Sequence, residues 1–222
     1  MLVIGVRAAT PSSDDLAWSG RRHDDDKPGA VRGSSSADLF DAVFHALHDG
    51  EQVAVGFGGP LTTRVDEDQR NLDGTGQEDR AIALLDEAEA AAPGLAGLDR
   101  LLGELGKWRP WTAVSTSLPR WRATTSILVW ELLPGDNAAE ETDPLATDAP
   151  EPDSTVADSG VHGFYELLRT RADRPADVAT EPVINLAAAV ALRAGLPVDA
   201  RQLSEPVLAI AATATPASDS GQ

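Results

Sequence analysis

The chain contains no cysteine in 222 residues, which excludes disulfides and thiolate metal sites outright. It has only two lysines, Lys27 and Lys107, and a single methionine and a single tyrosine. Positive charge of any kind is scarce: 18 Lys and Arg stand against 36 Asp and Glu, a formal net charge of −18. A chain of that charge repels nucleic acid at long range, because binding a phosphate backbone requires cations that displace its counterions. The same composition fits base-composition bias or salt adaptation, neither of which is a function. No apolar run approaches the roughly 20 residues needed to span a bilayer. The N-terminus is apolar from Leu2 onward, with no basic leader and no small-residue cleavage site, so the expectation is a cytoplasmic protein without membrane association.

What is present suffices for a core, at 42% hydrophobic residues. The length favours a single domain over residues 1–212, with a flexible tail over 213–222. Residues 2–9 read as a buried strand, and Leu16 to Ser19 as a short second one. The polar stretch from Gly20 to Gly33 leaves room for a weak third. Ser36 is the expected N-cap of a helix over about 37–49, in which Leu39, Phe40, Val43, Phe44 and Leu47 recur at helical spacing and Gly50 is the stop. Residues 52–57 form another buried strand, and 62–77 read as polar and turn-rich. Helices are expected over 78–91 and, from Leu95, Leu98, Leu101, Leu102 and Leu105, just beyond Pro93-Gly94. Strand character returns over 125–133. Residues 135–160 are rich in Asp, Glu, Pro, Ala and Thr and read as a disordered acidic loop. Helices over 161–172 and 182–195 follow, and Val207 to Ile210 reads as a last strand. The order predicts an α/β domain with a mixed sheet flanked by helices.

Four short motifs fall in sequence order: Gly5-Val6-Arg7-Ala8, Val55 to Leu61, Val129-Trp-Glu-Leu-Leu-Pro134, and Asn185 to Leu192. Through them, over about residues 1–210, the chain resembles a family of predicted nucleases with an RNase H-like fold. The resemblance implies such a fold here, with a helical insertion before the fifth strand. Members carry acids at the matching positions, and the chemistry explains why. Two divalent ions about 4 Å apart clamp a scissile phosphate, and hard cations need carboxylate oxygens. Here those positions hold Arg7, Gly58, Glu131 and Asn185, so only Glu131 keeps its acid. A guanidinium offers a metal no lone pair, glycine has no side chain, and asparagine is a weaker neutral ligand. The resemblance therefore implies a degenerate site without a metal, with Arg7, Gly58 and Asn185 as its relic. Arg7 and Glu131 are expected to pair across it.

Residues 105–130 contain no acid, yet carry Lys107, Arg109, Arg120 and Arg122 interleaved with Trp108, Trp111, Trp121 and Trp130. Tryptophan and arginine together mark binding hot spots and stacking platforms. Lys107, Trp108, Arg109, Trp111, Arg120, Trp121 and Arg122 are thus the candidate surface for a protein partner or an anionic ligand, with nucleic acid the less favoured partner. The competing reading is that these arginines lie over tryptophan faces as structural cover. The acidic loop is a candidate for folding over the patch.

Other constellations favour plain readings. His45 and His48 have metal-ligand spacing, but a histidine in a last helical turn complements the dipole and no third ligand is visible. His23-Asp24-Asp25-Asp26 lacks the spacing of a calcium loop. Gly56 to Gly59 lacks the Gly-Lys-Ser/Thr ending of a phosphate loop. Three functions remain in view. The first is a catalytically degenerate RNase H-like protein that binds a partner, without a cofactor. The second is an active Mg²⁺-dependent nuclease or hydrolase that recruits Asp38, Asp41, Asp66 or Asp68 toward Glu131. The third is an unrelated α/β binding domain, for which an all-parallel sheet would be the signature.

Overall fold

Three central strands are apolar almost without interruption, as strands buried on both faces must be. They are β1 (Leu2–Ala8), β4 (Val53–Gly58) and β7 (Ser126–Leu133). The computed structural model describes residues 1–8, 15–22, 29–65, 74–89, 92–124, 126–133, 154–170 and 182–211. Within these, β1 runs parallel to β4, and β4 parallel to β7. On the other side of β1, β2 (Asp15–Arg22) and β3 (Gly29–Ser35) extend the sheet as an antiparallel meander. Two short strands share β7 as a parallel neighbour: β6 (Ala113–Ser115) pairs with its first half and β9 (Ala209–Ala211) with its last three residues. The sheet order is β3-β2-β1-β4-β7-β6, a mixed sheet.

Helices cover both faces. On one lie α1 (Ser36–His48), α2 (Gly74–Glu89), α3 (Pro93–Trp108) and α6 (Leu186–Arg193), packed over Ile4, Val55 and Val129. On the other lie α4 (Leu118–Ala123) and α5 (Ser154–Thr170), packed over Val3, Ala54 and Leu128. Arg193 ties the first layer together, reaching Asp86 and Glu89 on α2 and Asp99 on α3. The Glu89 and Asp99 carboxylates push its already high pKa further up, against the opposing effect of burial.

The segment between β4 and β7 departs from the sequence reading. It carries α2, α3 and α4, but also β6 and a short β5 (Thr62–Arg64) within the stretch read as turns. β5 pairs with β8 (Val183–Asn185), which occupies the start of the expected helix over 182–195. Long-range pairing decides both, and local propensity does not register it. Helix α1 begins one residue earlier than expected: Ser35, not Ser36, is its N-cap, accepting from the Asp38 amide at 3.1 Å. Gly50 closes it at φ 77°, as the sequence suggested. Helix α5 starts at Ser154, inside the stretch read as a disordered loop; the remainder of that stretch, 135–153, lies outside the described residues, as does the tail from 212.

The N-terminal turn of α3 sits directly on the end of β4. A Cβ placed on Gly94 would run into the Gly58 carbonyl oxygen, whereas one on Gly103, in the same helix, meets nothing within 4 Å. Gly94→Ala should therefore lower stability by about 1–3 kcal/mol through forced displacement, while Gly103→Ala should raise it by about 0.5–1 kcal/mol. Urea unfolding of the two variants checks the opposite signs.

Candidate functional site

The C-terminal ends of the parallel strands are where an open α/β sheet offers a crevice. β4 ends there in Gly58, followed by Gly59, a cis bond to Pro60, and buried Leu61. β7 brings Glu131 alongside Phe57, with Ala209 of β9 on its other side. The carboxylate folds over Gly59, whose missing side chain makes the room: any Cβ there would collide with Glu131 Oε1. Its Oε2 accepts the Leu61 amide at 3.2 Å. Glu131 is half-buried, and burial pushes its pKa up, only partly opposed by the Leu61 hydrogen bond.

Arg7 does not pair with Glu131. Val6, Phe57 and Glu131 are register partners and share one face of the sheet. Side chains alternate along a strand, so Arg7, one residue on, projects toward the opposite face. It is exposed there, and only burial and the Leu61 amide move the ionisation of Glu131. The expected cross-site ion pair fails for this one-residue reason. Gly58 is half-buried, and a Cβ at it would meet nothing within 4 Å, so packing does not forbid a carboxylate there.

Asn185 is fully buried and fully engaged. As the N-cap of α6, its Oδ1 accepts the Ala188 amide at 2.9 Å. Its Nδ2 donates to Thr116 Oγ1 at 2.9 Å and to the Glu205 carbonyl at 3.0 Å. Gln202, in a 3-10 turn over Ala200–Ser204, completes the cluster: its Oε1 accepts from the Thr116 amide at 2.9 Å, and its Nε2 donates to the Val114 carbonyl at 3.1 Å. This network joins the end of β6, the start of α6 and the approach to β9. The Leu186 amide donates to the Leu61 carbonyl, so Asn185 adjoins the loop that holds Glu131, but its own polar atoms are spoken for. No sequence signal links Thr116 and Gln202 to it, since three distant segments supply the partners.

The tryptophan- and arginine-rich segment divides into buried and exposed halves. Trp121 is buried, donating to the Ser126 carbonyl at 2.9 Å, and Trp130 is buried against Phe164. Arg120 forms a two-pronged pair with Glu205 at 2.8 and 2.9 Å, with Asp199 at 3.6 Å, so it is structural cover. Arg122 is exposed on α4. At the end of α3 the picture reverses. Trp108 and Trp111 are 64% and 68% exposed. Lys107 pairs with Glu104 at 2.6 Å, which holds that carboxyl below its ordinary pKa. The Arg109 guanidinium lies 6.0 Å from the Phe44 ring and 5.8 Å from Trp111. Phe44 continues a row on α1, with Phe40 at 5.5 Å and His48 stacked at 6.3 Å. The sequence held a sign of this row: Phe40, Phe44 and His48 run beside the buried row Leu39, Val43, Leu47 at the same four-residue interval.

No group of three or more His, Asp or Glu able to hold a metal occurs among the described residues. His45 and His48 accordingly stand with the aromatic row, and Asp38 and Asp41 lie exposed on α1 without forming such a group. Asp66, Asp68 and the His23 to Asp26 run lie outside the described residues. Among those residues no helix is long and apolar enough to cross a membrane. Comparison with protein-family models, with curated proteins and with solved structures gave no match.

Two expectations follow from this geometry. A carboxyl whose folded-state pKa exceeds its unfolded value stabilises the fold below the ordinary value of 4.5, and that contribution is lost as pH rises through the raised value. Glu131→Gln, which keeps an acceptor for Leu61, should therefore gain stability over wild type between about pH 4 and about pH 8. Urea unfolding at both ends of that window checks the sign; an advantage that shrinks with pH would contradict it. Asn185→Asp keeps the helix cap but loses the donor to the Glu205 carbonyl and buries a charge. It should cost at least about 2 kcal/mol, measured the same way.

Proposed function

We propose that this chain is a divergent RNase H-like protein that has lost metal-dependent nuclease chemistry and acts by binding a partner. The antiparallel β1-β2-β3 meander, continued by parallel β4 and β7, supports the RNase H-like reading over an unrelated all-parallel domain. The helices and short strands between β4 and β7 then stand as the insertion before the fifth strand of that fold.

The observation that carries the loss of chemistry is that Glu131 belongs to no group of three or more possible metal ligands among the described residues. Two-metal catalysis needs several carboxylates converging on two cations. Arg7 faces the other side of the sheet, Gly58 has no side chain, and Asn185 spends its polar atoms on α6, Thr116 and Glu205. A lone half-buried carboxylate already held by an amide is a poor cage for a hard cation. Binding is the function left with visible support. Trp108 and Trp111 expose large apolar surface that folding alone does not explain, and tryptophan is the residue most enriched at binding hot spots. A net charge of −18 weighs against a polynucleotide, while the local Arg109, Trp108 and Trp111 suit a protein or a small anionic group.

Calorimetric titration of Mg²⁺ and Mn²⁺ into wild type and Glu131→Ala tests the reading, with cleavage of single- and double-stranded nucleic acid followed in parallel. The expected result is no Glu131-dependent metal binding and no cleavage. Metal binding that disappears with Glu131, accompanied by turnover, would reinstate a nuclease or hydrolase whose further ligands come from segments such as Asp66 and Asp68.

A further inference from the structure

We infer that the surface formed by α1 and the end of α3 is a receptor for a short peptide motif that sets a carboxylate beside an apolar or aromatic side chain. This inference rests on the binding reading and names its partner by chemistry.

Arg109 carries it. The guanidinium is held between the Phe44 and Trp111 rings, yet no carboxylate among the described residues pairs with it. Its Nε is shielded from solvent and has no acceptor. Arg193 on α6, by contrast, has Asp86, Glu89 and Asp99, and Arg120 on α4 has Glu205. Around Arg109 the nearby acid is already used, since Glu104 holds Lys107. Asp41 on α1 and Asp49 at its C-cap are exposed, and neither pairs with Arg109.

The aromatic walls do two things. They fix the planar fork, so little side-chain entropy is lost when it binds a carboxylate bidentately. They also lower the local dielectric, which strengthens the pair. Beside the cation, Trp111 and Trp108 present flat apolar area for a neighbouring side chain of the ligand. The charge count selects a short motif over a polyanion. A single guanidinium without a carboxylate among the described residues suits one or two carboxylates, whereas a nucleic acid strand or a long acidic tract would meet the repulsion of the whole chain.

The test is selection of short random peptides displayed on phage against the intact protein. Selected peptides are then measured by fluorescence anisotropy on wild type, Arg109→Gln, Trp111→Ala and Arg169→Gln, the last altering an exposed pair with Glu166 on α5. The expected outcome is a shared Asp or Glu next to Trp, Phe or Leu. Affinity should fall about tenfold or more in each of the first two variants and hold in the third. An empty selection, binders without an acid, or affinity that survives Arg109→Gln would overturn the inference. So would Arg109-dependent binding of an oligo-dT strand in place of peptide, or self-association abolished by Trp111→Ala, which would make a second copy the occupant. Glu131-dependent cleavage would instead overturn the binding reading itself, whatever the peptides do.

Discussion

One row of side chains across the centre of the sheet governs much of the structure. Gly5, Gly56 and Trp130 are register partners on β1, β4 and β7. The Trp130 indole lies across Gly56, where any Cβ would collide with it. At Gly5 the missing side chain lets the backbone of α5 approach, with the Ala157 carbonyl oxygen 2.6 Å from where a Cβ would stand. Gly160 answers from the helix side, beneath Leu132 and Trp130. A large indole is thus accommodated by Gly56 and Gly160, while Gly5 admits the α5 backbone, and α5 is drawn tight to β1 and β2. Close packing of this kind tolerates few substitutions and pins the relative register of the strands.

Register then decides the chemistry at the strand ends. With Trp130 turned toward α5, Glu131 must turn toward α3 and α6, where the Leu61 amide and bare Gly59 receive it. Arg7, by the same alternation, turns away. Arg7 and Glu131, each at the end of a central strand, are therefore split between two faces. Nearby, Asn185 is a junction between elements, which is a sufficient physical reason for its burial and its full set of hydrogen bonds.

The central strands were legible because parallel strands covered on both faces are apolar without alternation, and α3 because its leucines recur at helical spacing. β3 was barely visible, since an edge strand of Gly, Ala and Ser carries little pattern; its place depends on β2 and on Gly33 lying beneath Trp18. β5 and β8 depend on each other, and neither Thr62–Arg64 nor Val183–Asn185 declares itself alone. The site was half legible. Chemistry could be read from residue type, so Glu131 stood out as an acid at a strand end, but facing could not, so the pairing with Arg7 was wrong. The same limit applies to the tryptophans: Trp121 and Trp130 differ from Trp108 and Trp111 only in what stands opposite them, which sequence spacing does not encode. Phe44, from a different helix, completes the exposed cluster for the same reason.

Under the proposed reading the strand ends hold Glu131 without a metal group among the described residues, and an aromatic and cationic surface lies elsewhere. The most direct test of that central claim is a crystal structure determined after soaking in Mn²⁺, with anomalous scattering recorded at the metal edge. The expected result is no anomalous peak within ligating distance of the Glu131 carboxylate. A peak there, shared with a second acid, would contradict the loss of the metal site.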